Sequence, residues 1–257
     1  MTGWRAVQIV LAGFCLALAR ASAADAAVVV QTGLLGQFIF GQGPQDDRSA
    51  PAPPVARYVS DQGQTFVLDR SSPTPLLKFE DSGEVLALSP TPASRGDTIL
   101  RDDLGEPVLR ITRLGGLTVF IPGRPTGAPV AFEGAAPGIR LSPMTAGALL
   151  QRLALASSRA SRAAKHLISF DAQEVTPGSE AVFADAAFVA SQALVRLSGR
   201  RDGDTILGRF VRVLFLPGSK GSVSIGKNVL NVTVNPSQGL AGRPSSARII
   251  AVAGKGH

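Results

Sequence analysis

What this chain of 257 residues lacks narrows its chemistry first. It has one cysteine (Cys15), one tryptophan (Trp4), one tyrosine (Tyr58) and two histidines (His166 and the terminal His257). A single cysteine closes no disulfide within the chain. Cys15 also falls in a segment read below as removable, so the mature chain would hold no thiolate nucleophile and no cysteine-ligated metal. Two imidazoles cannot build a multi-histidine metal cage within one chain. The shortage of Trp and Tyr removes the ring platforms on which bases or sugars stack, so nucleic acid is an improbable partner. A serine hydrolase would need a base, and His166 is the only internal one; no Gly-x-Ser-x-Gly elbow accompanies it. Beyond the N-terminus no stretch approaches 18 consecutive apolar residues, so no transmembrane span is expected in the mature chain.

What is present begins with the N-terminus. A short segment carrying Arg5 is followed by an apolar run from about Ala6 to Ala19, then Ala21-Ser22-Ala23 before Ala24-Asp25. This order reads as a cleavable export signal with cleavage after Ala23. The apolar run, roughly 14 residues, is shorter than the about 20 a spanning helix needs. The expected location is periplasmic or secreted.

Residues 24–56 read as a flexible arm and linker, with Gly41–Pro54 rich in Gly, Pro and Asp. Residues 57–257 read as a single α+β domain. Strands are expected at Arg57–Ser60, Thr65–Asp69, Leu76–Glu80, Val85–Leu88, Thr98–Arg101, Pro107–Arg113 and Leu117–Ile121, filling 57–132. Turn signals such as Asp61-Gln-Gly63, Asp102–Glu106 and Gly115-Gly116 separate them. Closely spaced strands with tight turns indicate an antiparallel meander, open or barrel-like. Residues Thr126–Arg140, rich in Gly, Pro and Ala, read as a link. An antiparallel helix pair is expected over 143–197. The first helix, about Pro143–Phe170, has Ser142 as its cap; the second, about Ser179–Leu197, has Ser179 as its cap and is apolar nearly all round, as a buried helix is. Strands return over 205–252: Thr205–Leu216 and Ser222–Val234 joined through Pro217–Gly221 as a hairpin, then Arg248–Val252. Strands, two helices and strands again favour helices packed on an antiparallel sheet.

The formal charge of +7 is unevenly placed. Residues 24–133 carry 9 basic and 13 acidic side chains, whereas residues 134–257 carry 15 basic and 6 acidic. Between Glu133 and Asp171 there is no acid, only Arg140, Arg152, Arg159, Arg162 and Lys165. A second basic cluster comprises Arg196, Arg200, Arg201, Arg209 and Arg212. One reading is an electropositive helix face for an anionic envelope component or acidic protein, with peripheral membrane contact as one form of it. The contact residues would be Arg152, Arg159, Arg162 and Lys165. The plainer readings are a solvated helix face, or pairing of the two halves within the molecule.

Other motifs are weaker. Gly221-Ser-Val-Ser-Ile-Gly226-Lys227-Asn228 fits part of a phosphate-binding loop, but Asn228 stands where Ser or Thr would ligate magnesium, and the run is strand-like rather than strand-to-helix. Asp102, Asp103 and Glu106 could form a hydrolase carboxylate pair, and Asp202 and Asp204 could join a cation site; turns explain the same residues. Arg95-Gly96-Asp97 matches an adhesion tripeptide by three residues only. Asn231-Val-Thr233 is a sequon within an expected strand. No catalytic residue, cofactor or metal site is assigned.

Residues Phe79–Phe120, with Asp102-Asp-Leu-Gly105-Glu-Pro-Val-Leu-Arg110 followed by Thr112-Arg-Leu-Gly-Gly116, resemble an uncharacterised family of exported alphaproteobacterial proteins, a domain of unknown function. The resemblance implies an exported bacterial protein and brings no activity or cofactor. The expected function is therefore a non-enzymatic binding or structural module of the envelope. The alternatives are a carrier of a small apolar ligand inside a barrel-like sheet and, third, a carboxylate-based hydrolase.

Overall fold

The first half of the molecule is built on one turn used three times. In Ser60–Gln64, Asp102–Glu106 and Thr112–Gly116, the fourth residue is a glycine at positive φ (Gly63, Gly105, Gly115). Its N–H donates to the first residue's carbonyl, and the first residue's N–H donates to the fifth's. The first side chain completes the turn: Ser60 Oγ, Asp102 Oδ1 and Thr112 Oγ1 each accept the fifth residue's backbone N–H at 2.9–3.0 Å. This is a three-residue hairpin loop ending in a left-handed glycine, and it fixes the register of the flanking strands.

The computed structural model describes residues 52–122 and 124–255; the expected export signal and most of the arm and linker lie outside them. The strands of the first half are β1 (Val55–Ser60), β2 (Thr65–Asp69), β3 (Leu76–Phe79), β4 (Val85–Ala87), β5 (Ser89–Pro92), β6 (Thr98–Arg101), β7 (Pro107–Ile111), β8 (Leu117–Ile121) and β9 (Arg124–Ala135). All their pairings are antiparallel, in the order β4-β3-β2-β1-β9-β8-β7-β6-β5. The two ends of that order, β4 and β5, are separated in the chain by Leu88 alone. The sheet therefore curls until its ends meet in one continuous run, giving a nearly barrel-shaped meander. Register shifts at Arg57/Tyr58, Leu100/Arg101 and Val119/Ile121 supply local curvature. Alternate residues, among them Tyr58, Phe66, Leu68, Leu77, Leu100, Leu109 and Val119, pack as one buried cluster.

Three strands depart from the expectation. β5 (Ser89–Pro92) forms where no strand was expected between Val85–Leu88 and Thr98–Arg101, held by its pairing with β6. β1 starts at Val55, inside the stretch read as linker, and β9 runs through the stretch read as a link. β9 pairs on both sides, with β1 and with β8, so its ladder partners decide its conformation where Gly, Pro and Ala alone would not. Gly127, at φ +78°, also lies against Thr118 and Phe120 where a Cβ would not fit.

The second half has its own layers. The helix pair is present: α1 (Ala146–Ala164) packs on α2 (Glu180–Ser198). α1 is shorter than expected at both ends. Thr145, not Ser142, caps it, accepting the Ala148 N–H at 3.3 Å. Lys165 turns left-handed at φ +62° and stops it; Ile168 then exchanges hydrogen bonds with Ser157 and Ser161, and the chain enters β10 (Ser169–Ala172). α2 is a core helix, with Phe183, Ala187, Val189, Ala190, Ala193, Leu194 and Leu197 fully buried. Gly203 allows the sharp turn after it, because a Cβ there would strike the Leu197 carbonyl at 2.2 Å. The first residues of the expected strand Thr205–Leu216 thus fall in α3 (Gly203–Leu207), ahead of β11 (Arg212–Pro217).

A second sheet has the order β10-β11-β13-β12, with β12 at Ser222–Gly226 and β13 at Val229–Val234. β10–β11 and β11–β13 are parallel, the first joined by the α2–α3 crossover that parallel pairing requires. The C-terminal hairpin is β12–β13, turning at Lys227-Asn228, so Pro217–Gly221 is not a hairpin turn. The expected strand Arg248–Val252 lies in a helix, α4 (Ser246–Gly254), capped by Ser245, whose hydroxyl accepts the Arg248 N–H at 3.0 Å. Its Ile249 and Ala253 enter the second core. Overall the protein is α+β, with two separate apolar cores, one per half.

Candidate functional site

Each turn of α1 contributes to one outward stripe. Arg152, Leu155, Arg159 and Arg162 follow at spacings of three and four residues, within a sector of about 80° at 100° per residue. The opposite face, Leu149, Leu153, Ala156, Ala160 and Ala164, is buried. Arg152 and Arg162 are exposed and make no hydrogen bond or ion pair among the described residues. Arg159 is half-buried and lays its guanidinium over the Phe188 ring of α2, 5.7 Å from its centroid, a cation–π contact that holds the charge in place. Lys165 lies apart from this stripe and pairs with Asp204 at 2.9 Å, both ends largely exposed.

Beside the stripe, α1 and α2 enclose a groove of about 260 Å³. Leu141, Met144, Leu155, Ala156 and Phe188 make its apolar surface, and Arg152 and Arg159 stand along it. Leu155, within the stripe, is 49% exposed; Leu150, 67% exposed, points from another side of the helix. The helix therefore offers cations interleaved with apolar side chains.

Of the second basic cluster, Arg201 is exposed without a hydrogen bond or ion pair among the described residues, and the other four are engaged within the molecule. Arg196 donates to Ser246 Oγ at 2.8 Å, Arg200 to both oxygens of Asp202 at 3.0 Å, Arg212 to Asp171 at 2.6 Å, and Arg209 to the Ala253 carbonyl. Pairing between the halves centres on Arg243, which sequence reasoning did not single out. Its side chain is 2% exposed. It bonds Asp185 of α2, donates to the Val85 carbonyl at 2.9 Å and lies 3.8 Å from Glu84. Glu84 in turn accepts the Ser246 N–H at 2.8 Å and the Ser246 hydroxyl. Asp103 reaches the same helix start, accepting the Ser245 N–H at 2.9 Å and the Ser245 hydroxyl at 2.6 Å. Two barrel turns thus supply the carboxylates that the orphan N–H groups of α4 require.

This placement dissolves the carboxylate site. Asp102 is spent inside its own turn, Asp103 caps α4, and Asp202 and Asp204 lie on the separate α2–α3 turn with Arg200 and Lys165 as partners. No group of three or more potential metal ligands occurs among the described residues. Gly221 and Lys227 stand at opposite ends of strand β12, so they cannot cradle one phosphate. Asp97 of the adhesion-like tripeptide is buried against Arg110, whose Nε donates at 2.7 Å, and against the Arg113 N–H. The Arg110 hydrogen bond outweighs burial and holds the Asp97 carboxyl below the usual carboxylate range. Asp69 is shifted the same way: burial opposes its ionisation, but hydrogen bonds from Ser71 and from the Ile139 N–H prevail. His166 bridges the Ala164 and Phe210 carbonyls at 2.9 and 2.8 Å, a strut at the end of α1 and not an exposed base. Asn231 and Thr233 sit in β13, paired on both sides.

A family model described as "Domain of unknown function (DUF4908)" matches residues 20–253. No curated protein and no solved structure matches the chain.

Proposed function

From the premise that the chain belongs to this family of unknown function, we propose that it is an exported, non-enzymatic binding module that docks through α1 on an anionic partner of the cell envelope. The observation that carries the reading is the stripe Arg152–Leu155–Arg159–Arg162. It is cationic and partly apolar, α1 carries no acid of its own, and Asp185 of α2, which lines the adjoining groove, is held by Arg243. Lys165, paired with Asp204, would join the contact only by exchanging that partner. Each Arg or Lys near an anionic surface contributes about 1 kcal/mol, and the exposed Leu155 between Arg152 and Arg159 adds contact area. The N-terminal signal pattern supports placing the partner outside the cytoplasm.

The barrel-like sheet is compatible with a carrier. Its inward side chains pack on one another, so a carried ligand would use the α1–α2 groove, whose surface is mostly apolar.

The test is sedimentation with vesicles of phosphatidylcholine containing phosphatidylglycerol. Wild type is expected to bind at low salt and to release as salt rises. Reversing Arg159 and Arg162 to Glu is expected to weaken binding by at least about 30-fold, since two contributions of about 1 kcal/mol are removed and repulsion is added. Unchanged binding by that variant would refute the proposal.

A further inference from the structure

A second cleft lies at the junction of the two halves, away from α1. Its volume is about 780 Å³, and it runs between the β6–β7 turn of the barrel and the β12–α4 side of the second half. Ligand sites favour such junctions, where two packed bodies leave a concavity that neither fills. Four cations line it: Arg101, Lys220, Arg243 and Arg248. Two acids, Asp102 and Asp103, face them.

The hydrogen bonds show which of these charges are available. Arg243 is consumed behind the cleft by Asp185 and the Val85 carbonyl. Asp102 Oδ1 is held by the Leu104 and Glu106 N–H groups. Both Asp103 oxygens are held by Ser245, and its approach to Arg248 is a loose 3.8 Å. Arg101 spends one Nη1 hydrogen on the Gly105 carbonyl at 2.8 Å, leaving most of its donor fork. Lys220 is exposed and has no hydrogen bond or ion pair among the described residues. Asp102 Oδ1 and both Asp103 oxygens are held by the fold, and three cations, Arg101, Lys220 and Arg248, keep donors against these two negative charges. Leu104, Val223 and Val252 supply apolar wall between them, so the recognised molecule has a carbon body as well as charge.

We propose that this cleft binds a small organic anion carrying two or more carboxylate or phosphate groups, held by Arg101, Lys220 and Arg248. The site is independent of α1, and neither its success nor its failure bears on the vesicle result.

The experiment is calorimetric titration of the whole chain with two probes, citrate and inorganic pyrophosphate, at low and at moderate salt. Saturable binding of either is expected, citrate binding better if carboxylates are the recognised groups and pyrophosphate if phosphates are. Arg101→Gln and Lys220→Gln are each expected to weaken the better probe about tenfold, the loss of one charge-assisted hydrogen bond. Lys220 is exposed and Arg101 half-buried with one hydrogen bond to the fold, so circular dichroism should show both variants folded. Arg152→Gln combined with Arg162→Gln should leave the probe affinity within about twofold, as expected of independent sites. No saturable binding of either probe by wild type would overturn the proposal. So would a loss of affinity in the α1 double variant matching that of the cleft variants.

Discussion

The barrel-like half and the helical half solve the burial problem in opposite ways. In the first, each strand pairs with the next along the chain except at β4 and β5, the two ends of the sheet, and the long closure is β1 with β9. In the second, the parallel strands β10 and β11 are joined through α2 and α3, β11 and β13 through the edge strand β12, and α2 is surrounded by α1, α3, α4 and the sheet. Each half has its own apolar core. Between them lies a polar junction, with Arg243, Glu84, Asp103 and the start of α4 as its parts. The lesson is that apolar burial consolidates each half while a small set of charge-assisted hydrogen bonds sets how they fit together.

The sharpest way to break that arrangement is Arg243→Ala. Removing one partner leaves Glu84 and Asp185 facing each other without their cation, a loss of about 3–5 kcal/mol. Because the cores are separate, unfolding should also cease to be one transition. Tyr58, the sole tyrosine, reports on the barrel in the near ultraviolet, and the helices report at 222 nm. The two curves should coincide in wild type and separate in the variant; coincident curves in the variant would show that the halves are coupled by something other than this junction.

A smaller effect tests the barrel alone. Gly105→Ala places a Cβ at φ +90°, costing about 1–2 kcal/mol. If the junction is intact, thermal unfolding followed by Tyr58 and by the helical signal should shift together.

The smallest effect separates the halves by pH. Asp97 and Asp69, both barrel carboxylates, have pKa values below those of the unfolded chain. The unfolded chain therefore takes up protons first, so the stability these groups contribute is present at neutral pH. It is lost as pH falls below about 4 and through their lowered values. Asp97→Asn is expected to lower the melting temperature at pH 7, and the gap from wild type should close as pH falls through that window. A gap independent of pH would mean that the charge of Asp97 contributes nothing.

How much could be read beforehand follows the same division. The strands of the meander are visible because their alternation and their Ser/Asp/Thr-x-x-Gly turns are local in sequence. Asp102–Glu106 and Thr112–Gly116, the part carrying the family resemblance, are two copies of that turn. β9 was hidden because Gly, Pro and Ala carry no strand signal, and its conformation comes from β1, which lies more than 60 residues earlier. The parallel pairing of β11 with β13 was hidden because a hairpin is the shorter explanation of two successive strands. Arg248–Val252 looked like a strand from Ile249, Ile250 and Val252, while the cap at Ser245 that starts a helix there went unread. The stripe Arg152–Arg162 was legible as a run without acids. The Arg243 junction was not, since its bonds to Val85 and those of Ser246 to Glu84 join residues 158 and 162 positions apart. Only the folded chain brings them together.

The seam at Leu88 has one more consequence. An open meander ordinarily loses its outermost strands first, because each is tethered on one side and its amides escape to water. Here the outermost strands, β4 and β5, are one uninterrupted stretch of backbone, pinned at its middle by a fully buried leucine whose N–H is bonded to Pro75. Neither end can peel without pulling the other. Amides paired in these two end strands should resist hydrogen exchange about as long as those at the centre of the sheet, so the ring opens as a whole or not at all.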